Sequence, residues 1–304
     1  MTIQHQTTAA EHTDTMPAPV MRPSAYDLHD EHFDESVFPD LEMLANLDLP
    51  GTDGEPMENE RERIQMNLGI DCIDTYWRER EDFYIGGNMF IYYSIDQALT
   101  VIKEIKEPER PKHAFRGPDM FIILNTDGSF RRQKWVVWEE DGLYPDIIFE
   151  FLSPTTRHID LGEKKNIYER TFKTHEYFCF DYLNPTGENS LSGWRLDTKR
   201  TYQPIPPDNR GWLWSDGLEL YVGLWSGTIL RDNTVWMRFY TSEGELVPTL
   251  AEVQDQRADS EAKRADSEAK RADNEAKRAE QEHQRAEKLS AKLRAMGIEP
   301  DADL

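Results

Sequence analysis

The sequence predicts an α/β fold in which helices flank a central mixed β-sheet, followed by a long C-terminal helix. Residues 117–124 and 145–152 each contain a Pro-Asp pair followed by a run of β-branched and aromatic residues. Such runs are typical of strands buried on both faces. From residue 257 the composition changes to a seven-residue repeat rich in Ala, Glu, Lys and Arg. A repeat of this kind predicts a long helix.

Three regions are expected along the 304 residues. Residues 1–50 are acidic, polar and proline-dotted, which favours disorder. Residues 51–248 contain the apolar segments and are expected to form one domain, and residues 249–304 form a heptad-repeat helical or coiled-coil tail. No run of 18 apolar residues and no signal-peptide pattern is present, so we expect no membrane span and no secretion.

Within the domain, apolar periodicity and turn signals predict the elements in order. Helices are expected over residues 58–80 and 161–172, and the stretch 96–101 is interpreted as a turn or edge. Strands are expected at residues 83–93 (with Gly86-Gly87 as a bulge or turn), 119–124, 135–138, 146–152, 177–180, 218–224 and 235–240.

Glu150 interrupts the most apolar of these strands. Alternation along a strand places Asp146, Ile148, Glu150 and Leu152 on one face, so Glu150 lies deep in the strand. An ionised carboxylate at such a position is costly unless it is paired or binds a metal. Glu150 is therefore either part of a structural salt bridge to the next helix or a metal ligand.

Asp119 opens a second strand of the same build. Alone, a Pro-Asp pair usually marks a turn. With Glu150 on a neighbouring strand, however, two carboxylates could hold one Mg²⁺, a cation that prefers oxygen ligands. Lys164, on the helix that follows, could orient or help deprotonate an attacking water and stabilise charge on a phosphate. This combination indicates phosphodiester hydrolysis.

The order and spacing of several segments resemble one known family. They are GTDGEPMENE (51–60), RGPDMFIIL (116–124), KWVVWEE (134–140), PDIIFEFLSPTT (145–156), DLGEKKNIYE (160–169), HEYFCFDY (175–182) and LSGWRL (191–196). Together they resemble the Uma-type restriction endonuclease family, a cyanobacterial type within the PD-(D/E)xK nuclease superfamily. The resemblance implies a restriction-endonuclease-like core and a Mg²⁺-dependent (or Mn²⁺-dependent) endonuclease that hydrolyses DNA, with Asp119 and Glu150 as metal ligands.

The catalytic lysine departs from the superfamily pattern. That lysine usually stands two residues after the second acidic residue, where this chain has Leu152. The resemblance implies that Lys164, on the following helix, takes its place. Lys165 is the alternative.

Three other acidic residues are further candidates. Glu60 begins the helix of residues 58–80, and the first helix often supplies an acidic residue in this superfamily; the competing interpretation is a charge favourable to the helix dipole. Asp146 precedes the strand that carries Glu150. Asp160 precedes Lys164 by four residues and could equally be a helix N-cap.

The charge distribution bears on DNA binding. Of the net charge of -23, residues 1–60 carry -13 and residues 251–304 carry -3, which leaves -7 for the residues between them. Basic side chains still cluster near the proposed site, at Arg157, His158, Lys164 and Lys165. DNA binding is therefore expected to be weak or assisted by a partner.

The tail and the two cysteines complete the expectations. Alanines spaced four and three apart form a heptad seam that buries little area. The tail is therefore either a charged helical spacer or a zipper. The sequence leaves open whether the chain forms a homo-oligomer, with or without the C-terminal helix. Cys72 and Cys179 are expected to be free thiols in a reducing cytoplasm. The alternative function is a non-catalytic, nuclease-like scaffold or interaction protein that acts through its C-terminal helix.

Overall fold

The computed structural model describes residues 47–50, 59–107 and 117–297. Almost all of the acidic region expected over residues 1–50, and most of the segment 51–60, lie outside these described residues. Among the described residues, no helix is both long and apolar enough to cross a membrane.

Four helices are named here in chain order. Asn59 caps the first by accepting a hydrogen bond from the Arg61 backbone N–H, and Ser94 caps the second in the same way through Gln97. The third, residues 157–172, alternates short α-helical and π-helical segments and ends where Lys173 adopts a left-handed conformation. The helices are α1 (Glu60–Tyr76), α2 (Ile95–Lys106), α3 (residues 157–172) and α4 (Leu250–Ala295).

Eleven strands form three sheets in the described part of the chain. The strands are β1 (Phe83–Gly87), β2 (Ile91–Tyr92), β3 (Met120–Leu124), β4 (Trp135–Val136), β5 (Ile147–Phe151), β6 (Glu176–Phe180), β7 (Leu191–Leu196), β8 (Tyr202–Pro204), β9 (Leu213–Ser215), β10 (Leu220–Ile229) and β11 (Asp232–Tyr240).

The central sheet has six strands in the order β1-β3-β5-β6-β7-β8. Among its described strands, β5 and β6, which α3 connects, form the one parallel pair, and the other pairs are antiparallel. Strands β9, β10 and β11 form an antiparallel sheet, and β2 and β4 form a parallel pair. The central mixed sheet, the adjacency of β3 and β5, and the long C-terminal helix are as the sequence predicts.

Two cores cover opposite faces of the central sheet. On one face, Ile147 and Phe149 of β5 pack with α1 residues such as Leu68 and with the three-stranded sheet. On the other face, Ile148 packs with Tyr168 of α3. The alternation of side chains along β5 therefore turns Glu150 toward α3 and away from α1.

Several expected boundaries were wrong. Residues 96–101 belong to α2, because Ser94 caps a helix whose Ala98 and Val101 face a third core. The strand expected over 83–93 is two strands in different sheets, separated by Asn88 at a φ of 45°. Asp160 is not an N-cap, since α3 begins three residues earlier.

The first turn of α4 is bonded to the core. Thr249 and Glu252 form a capping box, and Glu252 also accepts hydrogen bonds of 2.7 and 3.3 Å from Arg238, a β11 guanidinium with no solvent exposure. Beyond this turn the helix is almost wholly exposed. The first turn of the tail is thus anchored to the core, whereas the rest of α4, called the solvated shaft below, is exposed.

Candidate active site

The register of two antiparallel strands brings the two predicted carboxylates together. Met120 of β3 pairs with Phe149 of β5. One position farther along each strand, Asp119 therefore lies opposite Glu150, and both side chains point to the face that α3 covers. Directly opposed residues in such a pair have Cβ atoms about 4.5–5.5 Å apart.

Backbone amides hold both carboxylates in place. The Phe151 N–H donates to Asp119 Oδ2 at 2.6 Å, and the Asp119 N–H donates to Glu150 Oε2 at 3.4 Å. Each strand thus binds the acidic side chain of the other. The position of these carboxylates follows from the pairing of the strands.

Helix α3 adds three side chains at intervals of four residues. Lys164 Nζ lies 3.0 Å from Glu150 Oε2 and 2.9 Å from Asp160 Oδ1. One turn farther along, the Tyr168 hydroxyl donates to Glu150 Oε1. The turn from Asp160 to Lys164 is π-helical, a local geometry that is frequent at functional sites.

Tyr168 was not among the predicted site residues, although it lies within the helix expected over residues 161–172. The available signal was spacing: Tyr168 stands four residues after Lys164, so the two side chains share a face. An aromatic residue at that spacing is equally consistent with core packing. Only the position of Glu150 beneath the helix distinguishes the two roles.

Burial and charge set the protonation of the site. The Glu150 side chain is 0% exposed and that of Asp160 is 2% exposed, whereas Lys164 is 21% exposed. Burial raises the pKa of Glu150 well above its ordinary value, although Lys164 opposes the shift. Burial would lower the pKa of Lys164, but Glu150, Asp119 and Asp160 together raise it above its usual range. Lys164 is therefore an ammonium at any physiological pH.

A family comparison bears on this geometry. The family model described as "Uma2: Putative restriction endonuclease" matches residues 55–231, more than half of the chain. The chain belongs to the Uma2 family. Its description indicates a nuclease, and it agrees with the family that the segments of the sequence resemble. A search of curated proteins found no match.

In this Uma2-family chain, the residue two positions after Glu150 is apolar. Leu152 is 1% exposed and packs in the same core as Tyr168. Lys164 approaches the Glu150 carboxylate from the helix instead. The lysine at the acidic pair therefore comes from α3 and not from the strand that carries Glu150.

The donor set fits a divalent cation. Asp119, Glu150 and Asp160 surround a single ammonium, which leaves an excess of negative charge in a largely dehydrated place if all three are ionised. Such an excess is costly without a compensating cation. Oxygen ligands of this kind suit Mg²⁺ or Mn²⁺, and Asp119 and Glu150 are the side chains that would hold it.

The other candidates of this Uma2-family chain lie elsewhere. Glu60 is exposed, 3.8 Å from Arg63, on the helix that covers the opposite face of the sheet. Asp146 accepts from the Leu124 N–H at 2.8 Å, and four residues of strand, about 13 Å, separate it from Glu150. Lys165 Nζ lies 3.6 Å from the centre of the Trp194 ring. The structure brings together Asp119, Glu150, Asp160 and Lys164.

A second acidic group is already satisfied by the protein. His175, Glu176 and Asp216 bring potential ligand atoms within 4.8 Å of one another. The buried Glu176, however, accepts hydrogen bonds from Arg195, Ser215 and the backbone of residues 216 and 217. This group is therefore best explained as a structural link between the central sheet and the loop after β9.

Proposed function

We propose that the chain is a Mg²⁺-dependent endonuclease that hydrolyses phosphodiester bonds of DNA, with Mn²⁺ as an alternative metal. The observation that carries the proposal is the Asp119–Glu150 pair, opposed across two strands, with the Lys164 ammonium 3.0 Å from the Glu150 carboxylate. A structural salt bridge alone would need one carboxylate for one lysine. The additional acidic oxygens favour a site built for a cation.

The residues divide the chemistry between them. A bound Mg²⁺ would supply a Lewis acid for the phosphate and lower the pKa of a water. Asp119 and Glu150 provide the charge that holds it, and backbone N–H groups fix their positions. Lys164, whose ammonium lies 3.0 Å from Glu150 Oε2, would orient the water and offset negative charge on the phosphate.

DNA binding is proposed to be weak or assisted by a partner. Near the site, the Arg157 guanidinium is already bonded to Asp181 at 2.7 Å, which leaves less positive charge for phosphates. The proposed location is the cytoplasm, because Cys72 and Cys179 are free and buried thiols.

Mg²⁺ is expected to raise the melting temperature of the wild-type protein. A ligand of the native state stabilises it, by about 2.7 kcal/mol when its concentration is 100 times its Kd. A thermal melt across a Mg²⁺ or Mn²⁺ titration measures the effect. Asp119→Ala should abolish the shift, whereas Glu60→Ala, on the opposite face, should retain it. An equal shift in the Asp119 variant would contradict the proposed ligand.

Lys164→Ala is expected to lower cleavage about 100-fold, because loss of a preorganised charge at a transition state costs on this order. Lys165→Ala is the matched control, since its ammonium packs on Trp194 and away from the acidic pair. Initial cleavage rates on plasmid DNA with saturating Mg²⁺ measure both. Equal losses of cleavage rate in the two variants would contradict the assignment of Lys164, and not Lys165, to the site.

A cleavage assay on plasmid, single-stranded DNA and RNA tests the function itself. Cleavage that requires added Mg²⁺ and stops with EDTA supports the nuclease. A folded wild-type protein that binds metal but cuts none of these substrates would favour the non-catalytic scaffold instead. The DNA-specific proposal requires that RNA be cut more slowly than DNA.

A further inference from the structure

Tyr168 and Lys164 bind different oxygens of the same carboxylate. Lys164 Nζ contacts Glu150 Oε2 at 3.0 Å, and the Tyr168 hydroxyl donates to Glu150 Oε1. Glu150 has three side-chain torsions that must be set before its oxygens face a fixed direction. Two donors from one helix, one turn apart, set that direction.

The two donors differ in their surroundings. The Tyr168 ring is fully buried, 5.2 Å edge-on from Tyr177 and 5.7 Å from Phe172 between ring centres. The Lys164 side chain is 21% exposed and has single-bonded methylenes that can turn. Tyr168 is therefore a fixed contact for Glu150, whereas Lys164 has access to solvent and to whatever enters the site.

The direction of the carboxylate follows from these contacts. Oε2 is the oxygen beside both Lys164 and the Asp119 backbone N–H, whereas Oε1 is turned toward the buried tyrosine. Oε2 is therefore the Glu150 oxygen on the side of Asp119, the second ligand of the proposed metal site. A phosphate that attracts the Lys164 ammonium would remove one of the groups that hold Glu150 in this orientation.

We propose that Tyr168 is a positioning residue that keeps Glu150 Oε2 turned toward Asp119 when Lys164 moves to the substrate phosphate. The inference rests on the proposed function of the site. It assigns separate roles to two neighbours on α3: Tyr168 holds the ligand, and Lys164 meets the substrate.

The test is Tyr168→Phe, with Tyr202→Phe as its matched control. Tyr202 is a buried tyrosine of the same aromatic cluster, and its hydroxyl donates to the Thr174 carbonyl at 3.0 Å instead of to a site carboxylate. Each variant loses one buried hydroxyl and keeps its ring. Melting temperature without metal measures structural damage, and the midpoint of the Mg²⁺-induced thermal shift measures metal affinity.

Tyr168→Phe is expected to weaken metal affinity by about 10–100-fold, the usual effect of removing a group that orients a metal ligand. Its cleavage rate at saturating Mg²⁺ should fall as well, because orientation remains imperfect. Tyr202→Phe should keep the wild-type affinity, even if both variants melt at a similarly lower temperature.

The outcomes separate this inference from the proposed function. If the wild type shows a metal-dependent shift and cleavage, but Tyr168→Phe matches Tyr202→Phe in both, the positioning role is wrong and the nuclease proposal stands. If the wild type shows no metal-dependent shift, the metal site fails, and the role of Tyr168 fails with it.

Discussion

Glu150→Gln is expected to abolish Mg²⁺-dependent cleavage while the protein stays folded. The amide has nearly the same shape and can still accept from Tyr168, but it lacks the charge that would bind the cation. Loss of several kcal/mol of transition-state stabilisation corresponds to a rate loss of about 10³-fold or more. Cleavage by the variant at a rate within tenfold of wild type would exclude Glu150 as a metal ligand.

The metal-free stability of this variant provides the control for folding. Burial raises the pKa of Glu150 in the folded state, so the folded protein binds this proton more tightly than the unfolded chain does. Wild-type stability from this group should therefore fall as pH rises from the unfolded pKa, about 4.3, through the raised value. Glu150→Gln cannot ionise, so its metal-free melting temperature should lose this pH dependence, and a cooperative thermal transition would show that the variant is folded.

Glu252→Gln is expected to destabilise the core by about 3 kcal/mol, although it lies at the base of an exposed tail. The variant leaves the Arg238 guanidinium, which has no solvent exposure, without its charged partner. The glutamine amide oxygen can still close the capping box with Thr249, so the change removes the charge and one acceptor of Arg238 while it keeps the cap. For a domain of this size, the loss corresponds to a decrease of roughly 10 °C in melting temperature.

Deletion of residues 257–304 is the matched comparison. It removes the repeats but keeps Glu252 and its hydrogen bonds to Arg238. The solvated shaft makes few contacts with the core, so its loss should leave the melting temperature nearly unchanged. A large decrease on deletion would show that the repeats stabilise the core or hold an oligomer together, and it would contradict the spacer interpretation.

The sequence determined the elements that carry the site. Strong β-propensity and Pro-Asp boundaries marked β3 and β5, and the ionisable residue in an apolar strand singled out Glu150. These signals are local, because they depend on residues within a few positions of one another. Local signals also located the start of α4, since the repeat begins shortly after the Thr249 cap.

The tertiary structure alone decided which of the candidate residues meet. A shift of one residue in the pairing of β3 with β5 would have turned Asp119 or Glu150 to the other face of the sheet. Glu60 lies on α1, which covers the face of the sheet opposite to the acidic pair. The packing of α3 directs Lys164, and not Lys165, toward the pair, and it brings the Tyr168 hydroxyl there as well. The same is true of Glu252, whose partner Arg238 lies 14 residues away across a turn. These contacts depend on strand register and on helix packing, and both are determined by interactions between residues that are distant in sequence.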